Sequence, residues 1–166
     1  MKHFGKFILS FIIAACVMSC QKDKEIENYN LDVELLLSLM NKHRAAGCKC
    51  GDTDMPPAPA LKWNKLLAKA AYNHSVDMAT QKYFSHTSLD GRSASDRIIA
   101  VGYPYTTFGE NIAKGYSNEE SVIKGWMQSP GHCVNIMNKS YSEVGAGREG
   151  NYWTLTLAHP APKTGK

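Results

Sequence analysis

The sequence predicts an α+β domain, and three observations carry that expectation. Apolar residues recur at helical spacing early in the chain, two capping-box patterns open further helices, and an alternating segment near the end reads as a strand. Helices come first and strands late, an order that suits an α+β arrangement better than the regular strand–helix repeat of a parallel sheet.

The first helix is expected over residues 31–46, "LDVELLLSLMNKHRAA". Its apolar stripe runs through Leu31, Leu35, Leu36, Leu39 and Met40, and Gly47 stands where a left-handed helix end is wanted. The stretch "GCKCGDTDMPPAPALKW" reads as an extended surface loop, because its glycines, aspartates and prolines disfavour regular structure. Asn64 caps a second helix to about Lys82, which carries Leu66, Leu67, Ala70, Ala71, His74 and Met78 on one side. His74 on that face reads as a core histidine with its hydrogen bonds met, not as a ligand.

Ser93 to Asp96 is a capping-box pattern for a short helix ending near Gly102. Ser117 to Glu120 repeats the device for a helix to Ser129, which Pro130 is expected to stop. "SEVGAG" and "NYWTLTLA", separated by Arg148 to Gly150, form a hairpin. Its second arm sets Tyr152, Thr154 and Thr156 against Trp153, Leu155 and Leu157.

The chain opens with Lys2 and Lys6, then an apolar run from Phe7 to Met18 broken by Ser10, and charge returns at Lys22. That run falls short of the about 20 apolar residues that span a bilayer and has the layout of a secretory signal. Cys20, followed at once by "QKDKE", resembles the lipobox cysteine of bacterial lipoproteins, which is acylated and becomes the first residue of the mature chain. Cys16 fits the small-residue pattern slightly better, but polar sequence begins directly after Cys20, which favours Cys20; a plain secreted protein is the alternative. The domain plan is therefore a signal over 1–20, a tether over 21–30, one domain over 31–160 and a tail over 161–166. A lipid would anchor this chain to a membrane surface without spanning it.

Without Lys2 and Lys6 the net charge falls from +4 to +2, too balanced for the clustered basic face of a nucleic-acid binder. An exported chain meets an oxidising compartment, so Cys48 or Cys50 is expected to bridge to Cys133. Closing a loop of roughly eighty residues would stabilise by about 4 to 5 kcal/mol in the chain-entropy account. A Cys48–Cys50 bridge would close a small strained ring, and a metal site of the three thiols with a histidine is a further alternative. Catalysis by Cys133 has no support from His132 beside it, since adjacent side chains usually point apart. If Cys20 is acylated, three cysteines remain and one thiol is left over.

Three polar groups stand out: His86 in "YFSHTS", Glu110 in "FGENIA" and His132 in "SPGHCVNIM". Two imidazoles and a carboxylate suit zinc, or general acid and base work. Together with "PALKWNKLLAKAAYNHSVDM" and "EVGAG…YWTLTLA", these blocks in this order resemble the CAP superfamily over about residues 31–158. That superfamily groups cysteine-rich secretory proteins, wasp-venom antigen five and plant pathogenesis-related proteins, and the "SPGH" segment is similar to its bacterial branch.

The resemblance implies a three-layer α-β-α sandwich with a central, mostly antiparallel sheet and a cleft holding two histidines and two acids. His86, Glu110 and His132 match three members of that tetrad. The second acid is expected three residues after Trp126, where this chain has Ser129, so a division of labour between paired carboxylates is unsupported. The cleft cluster could then hold zinc or another divalent cation through His86 and His132, with Glu110, a water or Ser129 nearby. Three functions follow as expectations: an anchored cell-envelope module that binds an unidentified ligand or protein partner; a zinc-dependent hydrolase of peptide or ester bonds with Glu110 as general base; and a structural surface protein. The expected location is outside a bacterial membrane, either facing the periplasm or on the cell surface.

Overall fold

The computed structural model describes residues 29–162. The signal segment, Cys16, Cys20 and most of the tether fall outside the described residues, as does the end of the tail. Tyr29, expected in the tether, belongs to the domain: it is buried, packs near Trp63 and Tyr72, and its carbonyl accepts from the Arg148 amide. No helix among the described residues is long and apolar enough to cross a membrane.

The elements run α1 (Val33–Ala46), β1 (Cys48–Cys50), β2 (Thr53–Met55), β3 (Lys62–Trp63), α2 (Lys65–Gln81), α3 (Ala94–Ala100), β4 (Tyr105–Lys114), α4 (Glu119–Gln128), α5 (Pro130–Met137), β5 (Glu143–Glu149) and β6 (Tyr152–Pro160). The caps explain several boundaries. Asp32 accepts from the Leu35 amide, Asn64 from Leu66 and Leu67, and Ser93 and Asp96 close a reciprocal capping box.

Four local expectations need correction. The glycine- and aspartate-rich stretch after α1 is not all loop, because β1 and β2 pair antiparallel around a turn where Gly51 takes φ 60°. The α4 cap is Asn118 with Ser121, not Ser117 with Glu120. Pro130 ends α4 but also opens α5, since a missing amide and a fixed φ suit the first turn of a helix. The strand β4 has no counterpart in the sequence-based reading.

The central sheet has the order β3-β5-β6-β4, antiparallel except for β3 beside β5. On one face Val144, Ala146, Trp153, Leu155 and Leu157 form the main core with Leu36 and Met40 of α1, Val122, Ile123 and Trp126 of α4, and Ile136 of α5. The other face meets α2, with α3 beyond it. Here Leu67 and Ile98 pack on Ala158, and the Ser75 hydroxyl donates to the Gly147 carbonyl at 2.8 Å and shares a hydrogen bond with Thr154. The three-layer α+β architecture is therefore observed. The alternating arm of β6 is buried on both sides, and its threonines are the small residues of the α2 face.

Arg44, fully buried near the end of α1, ties this framework to the chain around it. Its guanidinium donates to the carbonyls of Pro59 at 2.7 Å, Ile136 at 2.7 Å, Asn138 at 2.9 Å and Tyr141 at 3.1 Å.

Glycine is needed where α2 crosses β5. A Cβ on Gly145 would overlap the backbone of Leu67 and Ala68, and one on Gly147 would overlap Tyr72. Helix backbone cannot move aside as a flexible side chain can. Gly145→Ala should therefore lower stability by about 3 kcal/mol or more, at the upper end of overpacking effects, read as a fall in the urea midpoint.

Candidate functional site

The three cleft residues come from three elements. His86 lies in the turn that leaves α2, Glu110 is in the middle of β4, and His132 is in the first turn of α5. Because successive residues of a strand face opposite sides of the sheet, Glu110 of the edge strand β4 reaches toward the α2 and α3 side while its neighbour Asn111 serves the α5 side.

The Glu110 carboxylate is 5% exposed and both of its oxygens are engaged. Oε1 accepts from His86 Nδ1 at 2.8 Å, and Oε2 accepts from Arg97 Nη2 at 2.7 Å. Burial by itself would raise the pKa of Glu110. The His86 hydrogen bond, the Arg97 charge and its hydrogen bond outweigh burial, so the carboxyl is held below its usual value. Arg97 also donates to the carbonyls of His86 and Arg92 and to the Ser88 hydroxyl, so one buried guanidinium folds the 86–92 segment around the carboxylate.

Sequence reasoning missed Arg97. Its place inside a short capped helix carries no local signal, and only the requirement that a buried carboxylate have a counter-charge points to it.

His132 is half-buried, and its carbonyl accepts from Asn111 Nδ2 at 3.1 Å; Asn111 Oδ1 in turn accepts from Asn135 at 2.9 Å. This amide pair fixes α5 against β4. Burial and then the nearby charge of His86 lower the His132 pKa, leaving a neutral imidazole at pH 7. Ser129 sits at the junction of α4 and α5 and its side chain makes no capping hydrogen bond.

His74 is a core residue as expected, but the expectation that its hydrogen bonds are met fails at one of its two ring nitrogens. Its Nε2 is 2.9 Å from the Ser85 carbonyl, and Nδ1 is buried without a hydrogen-bond partner. Its pKa is lowered, first by burial and then by Arg97.

In its neutral form His86, with Nδ1 donating to Glu110, leaves its Nε2 lone pair for a ligand, the arrangement by which a carboxylate orients a metal-binding histidine. The donor set is then the two imidazoles, a ligand type that suits a divalent cation such as zinc, with Glu110 behind His86. It does not form a three-donor cage. Among the described residues, the group of three donors lying within 4.8 Å of one another is Cys48, Cys50 and Cys133. Cys133 is bonded to Cys50, which decides between the two expected partners and leaves Cys48 as a thiol.

Residues 37–155 match the cysteine-rich secretory protein family, CAP. The chain belongs to this family. The CAP chain is 41% identical over 96 residues to the uncharacterized protein YkwD of Bacillus subtilis; the match covers 57% of this chain and 37% of that protein, so the chain spans little more than a third of this curated relative. Among solved structures, an extracellular SCP-domain protein from Bacillus anthracis superposes with a TM-score of 0.67 at 28% identity, covering 82% of this chain and 42% of that one. An outer surface protein of Borrelia burgdorferi gives a TM-score of 0.66 at 18% identity over 77% of this chain and 92% of its own, a likeness of fold.

In this CAP domain the Arg97–Glu110 pair should govern acid stability. Because folding lowers the Glu110 pKa, the stabilisation is present above the usual value of 4.5 and is lost as pH falls through the folded value. Arg97→Met should cost about 3 to 5 kcal/mol at neutral pH, as expected for a broken buried pair. Burial would then be opposed by His86, with a smaller contribution from His74, so stability should rise less between acid and neutral pH than in the parent, as read by denaturant unfolding across that range.

Proposed function

We propose that this CAP domain is an exported, lipid-anchored binding module of the bacterial "SPGH" type, whose cleft presents His86 Nε2 and His132 to a divalent cation such as zinc. The observation that carries this reading is the engagement of both Glu110 oxygens. A carboxylate clamped by Arg97 and His86 orients an imidazole well, but the same contacts hold its pKa down and make it a weak base. That argues against the hydrolase reading, in which Glu110 must take a proton. A cation in the cleft would supply Lewis acidity and a coordination point for an oxygen or nitrogen of a ligand or partner protein.

Export is supported by the Cys50–Cys133 bridge, which suits an oxidising compartment, and by the extracellular and outer-surface descriptions of the two structural relatives. Polar sequence directly after Cys20 supports that cysteine as the anchor.

Calorimetric titration of zinc into the metal-stripped protein should show binding that is abolished in the His86→Ala, His132→Ala double variant. Glu110→Gln, which spoils the support of His86, should weaken it about 10- to 100-fold. Absence of zinc binding in the parent would remove the cation from this proposal. Labelling cells with radioactive palmitate should tag the parent and Cys16→Ala but not Cys20→Ala; label that persists in Cys20→Ala would place the anchor elsewhere.

A further inference from the structure

The left-over thiol is not isolated. Cys48 and Cys50 are two apart on β1 and so point to the same side of the strand, toward Cys133 of α5. Cys48 Sγ lies 3.8 Å from Cys133 Sγ and 4.0 Å from Cys50 Sγ. A thiol therefore rests beside a disulfide, nearly equidistant from its two sulfurs. Cys50 is 1% exposed and Cys133 is fully buried, whereas Cys48 is only partly covered. The thiol stands between the bridge and solvent.

We propose that Cys48, Cys50 and Cys133 form an internal thiol–disulfide exchange site, in which Cys48 is the nucleophile, Cys133 the sulfur attacked and Cys50 the leaving group. Cys48 loses its proton and its thiolate bonds to Cys133 Sγ. The Cys50–Cys133 bond breaks, its electron pair departs on Cys50 Sγ, and Cys50 takes up a proton. One S–S bond forms as one breaks, so no outside oxidant or reductant is consumed.

Geometry selects this direction over attack on Cys50. Residues two apart on a strand are separated by about 6.6 Å at Cα, and their Cβ atoms keep nearly that spacing. A disulfide needs Cβ atoms about 3.5 to 4.5 Å apart, so a Cys48–Cys50 bridge would require β1 to be dismantled. A Cys48–Cys133 bridge needs no such change, because the near sulfur is already in contact. Since Cys48 stands beside the bond and not on its axis, rotation of its side chain must come first. Burial raises the Cys48 pKa, which keeps the thiolate scarce and the exchange slow at neutral pH.

The sequence makes the two bridges easy to tell apart, because Lys49 separates Cys48 from Cys50 and trypsin cuts after it. The full chain, purified after export, is incubated in mildly alkaline buffer, quenched with acid at intervals and unfolded. Free thiols are then capped with N-ethylmaleimide, the bridges are reduced and capped with iodoacetamide, and tryptic peptides are weighed. Label that begins on Cys48 and passes in part to Cys50, reaching a constant ratio, is the expected result, as is loss of the Cys50 label in Cys48→Ser. Maleimide confined to Cys48 at every time in the parent overturns the proposal, as does Cys133 becoming the labelled partner in place of Cys50. Cys50→Ser supplies a second reading: a Cys48–Cys133 bridge is expected in it, but the parent time course decides even if that variant fails to fold.

Discussion

The arrangement depends first on a buried cation bonded to backbone oxygens. Arg44 projects from the last turn of α1 and gathers carbonyls from the proline-rich segment, the end of α5 and the approach to β5. Each of those groups would cost about 1 to 3 kcal/mol if buried without a donor. Two irregular pieces of chain and the last turn of a helix converge with carbonyls that need a donor, and a planar guanidinium with five donors is the side chain that can serve them all. The end of α5 is fixed there, while the disulfide to Cys50 fixes its first turns. His132 is carried on a helix held at both ends.

On the opposite side of the sheet the same solution appears with an acid added. Arg97 bonds the carboxylate of Glu110 and also the backbone of the loop that surrounds it. A buried ion pair contributes little net stability compared with an apolar replacement, but its geometry is strict. Here that strictness sets the direction of the His86 ring. The conformation of a surface loop becomes a property of the interior.

What the sequence reveals depends on how local the physics is. Asn64, Ser93 and Asp96 were legible because a cap is decided within one turn, and the hairpin of β5 and β6 was legible because its apolar residues alternate. Gly145 and Gly147 gave no comparable warning, since the helix they face is far away in the chain. The strand β4 was hidden for a related reason: Glu110 and Asn111 occupy successive positions and enter polar networks on opposite sides, which erases the period of two. Pro130 has opposite meanings at the end and the start of a helix, and one residue cannot show that it serves as both. His86, Glu110 and His132 stand out as polar groups beside short sequence landmarks and match a family resemblance, whereas Arg97 needed the fold.

The glycines beneath α2 also act as a gauge for the cleft. With helix backbone resting directly on strand backbone, α2 has no layer of side chains to slide upon, and the Ser75 hydroxyl pins it to Gly147 and Thr154. A slip of one residue would carry its end, and the turn bearing His86, about 1.5 Å along the axis, enough to spoil a hydrogen bond. Absent side chains on β5 thus calibrate the position of an imidazole in the loop beyond the end of α2.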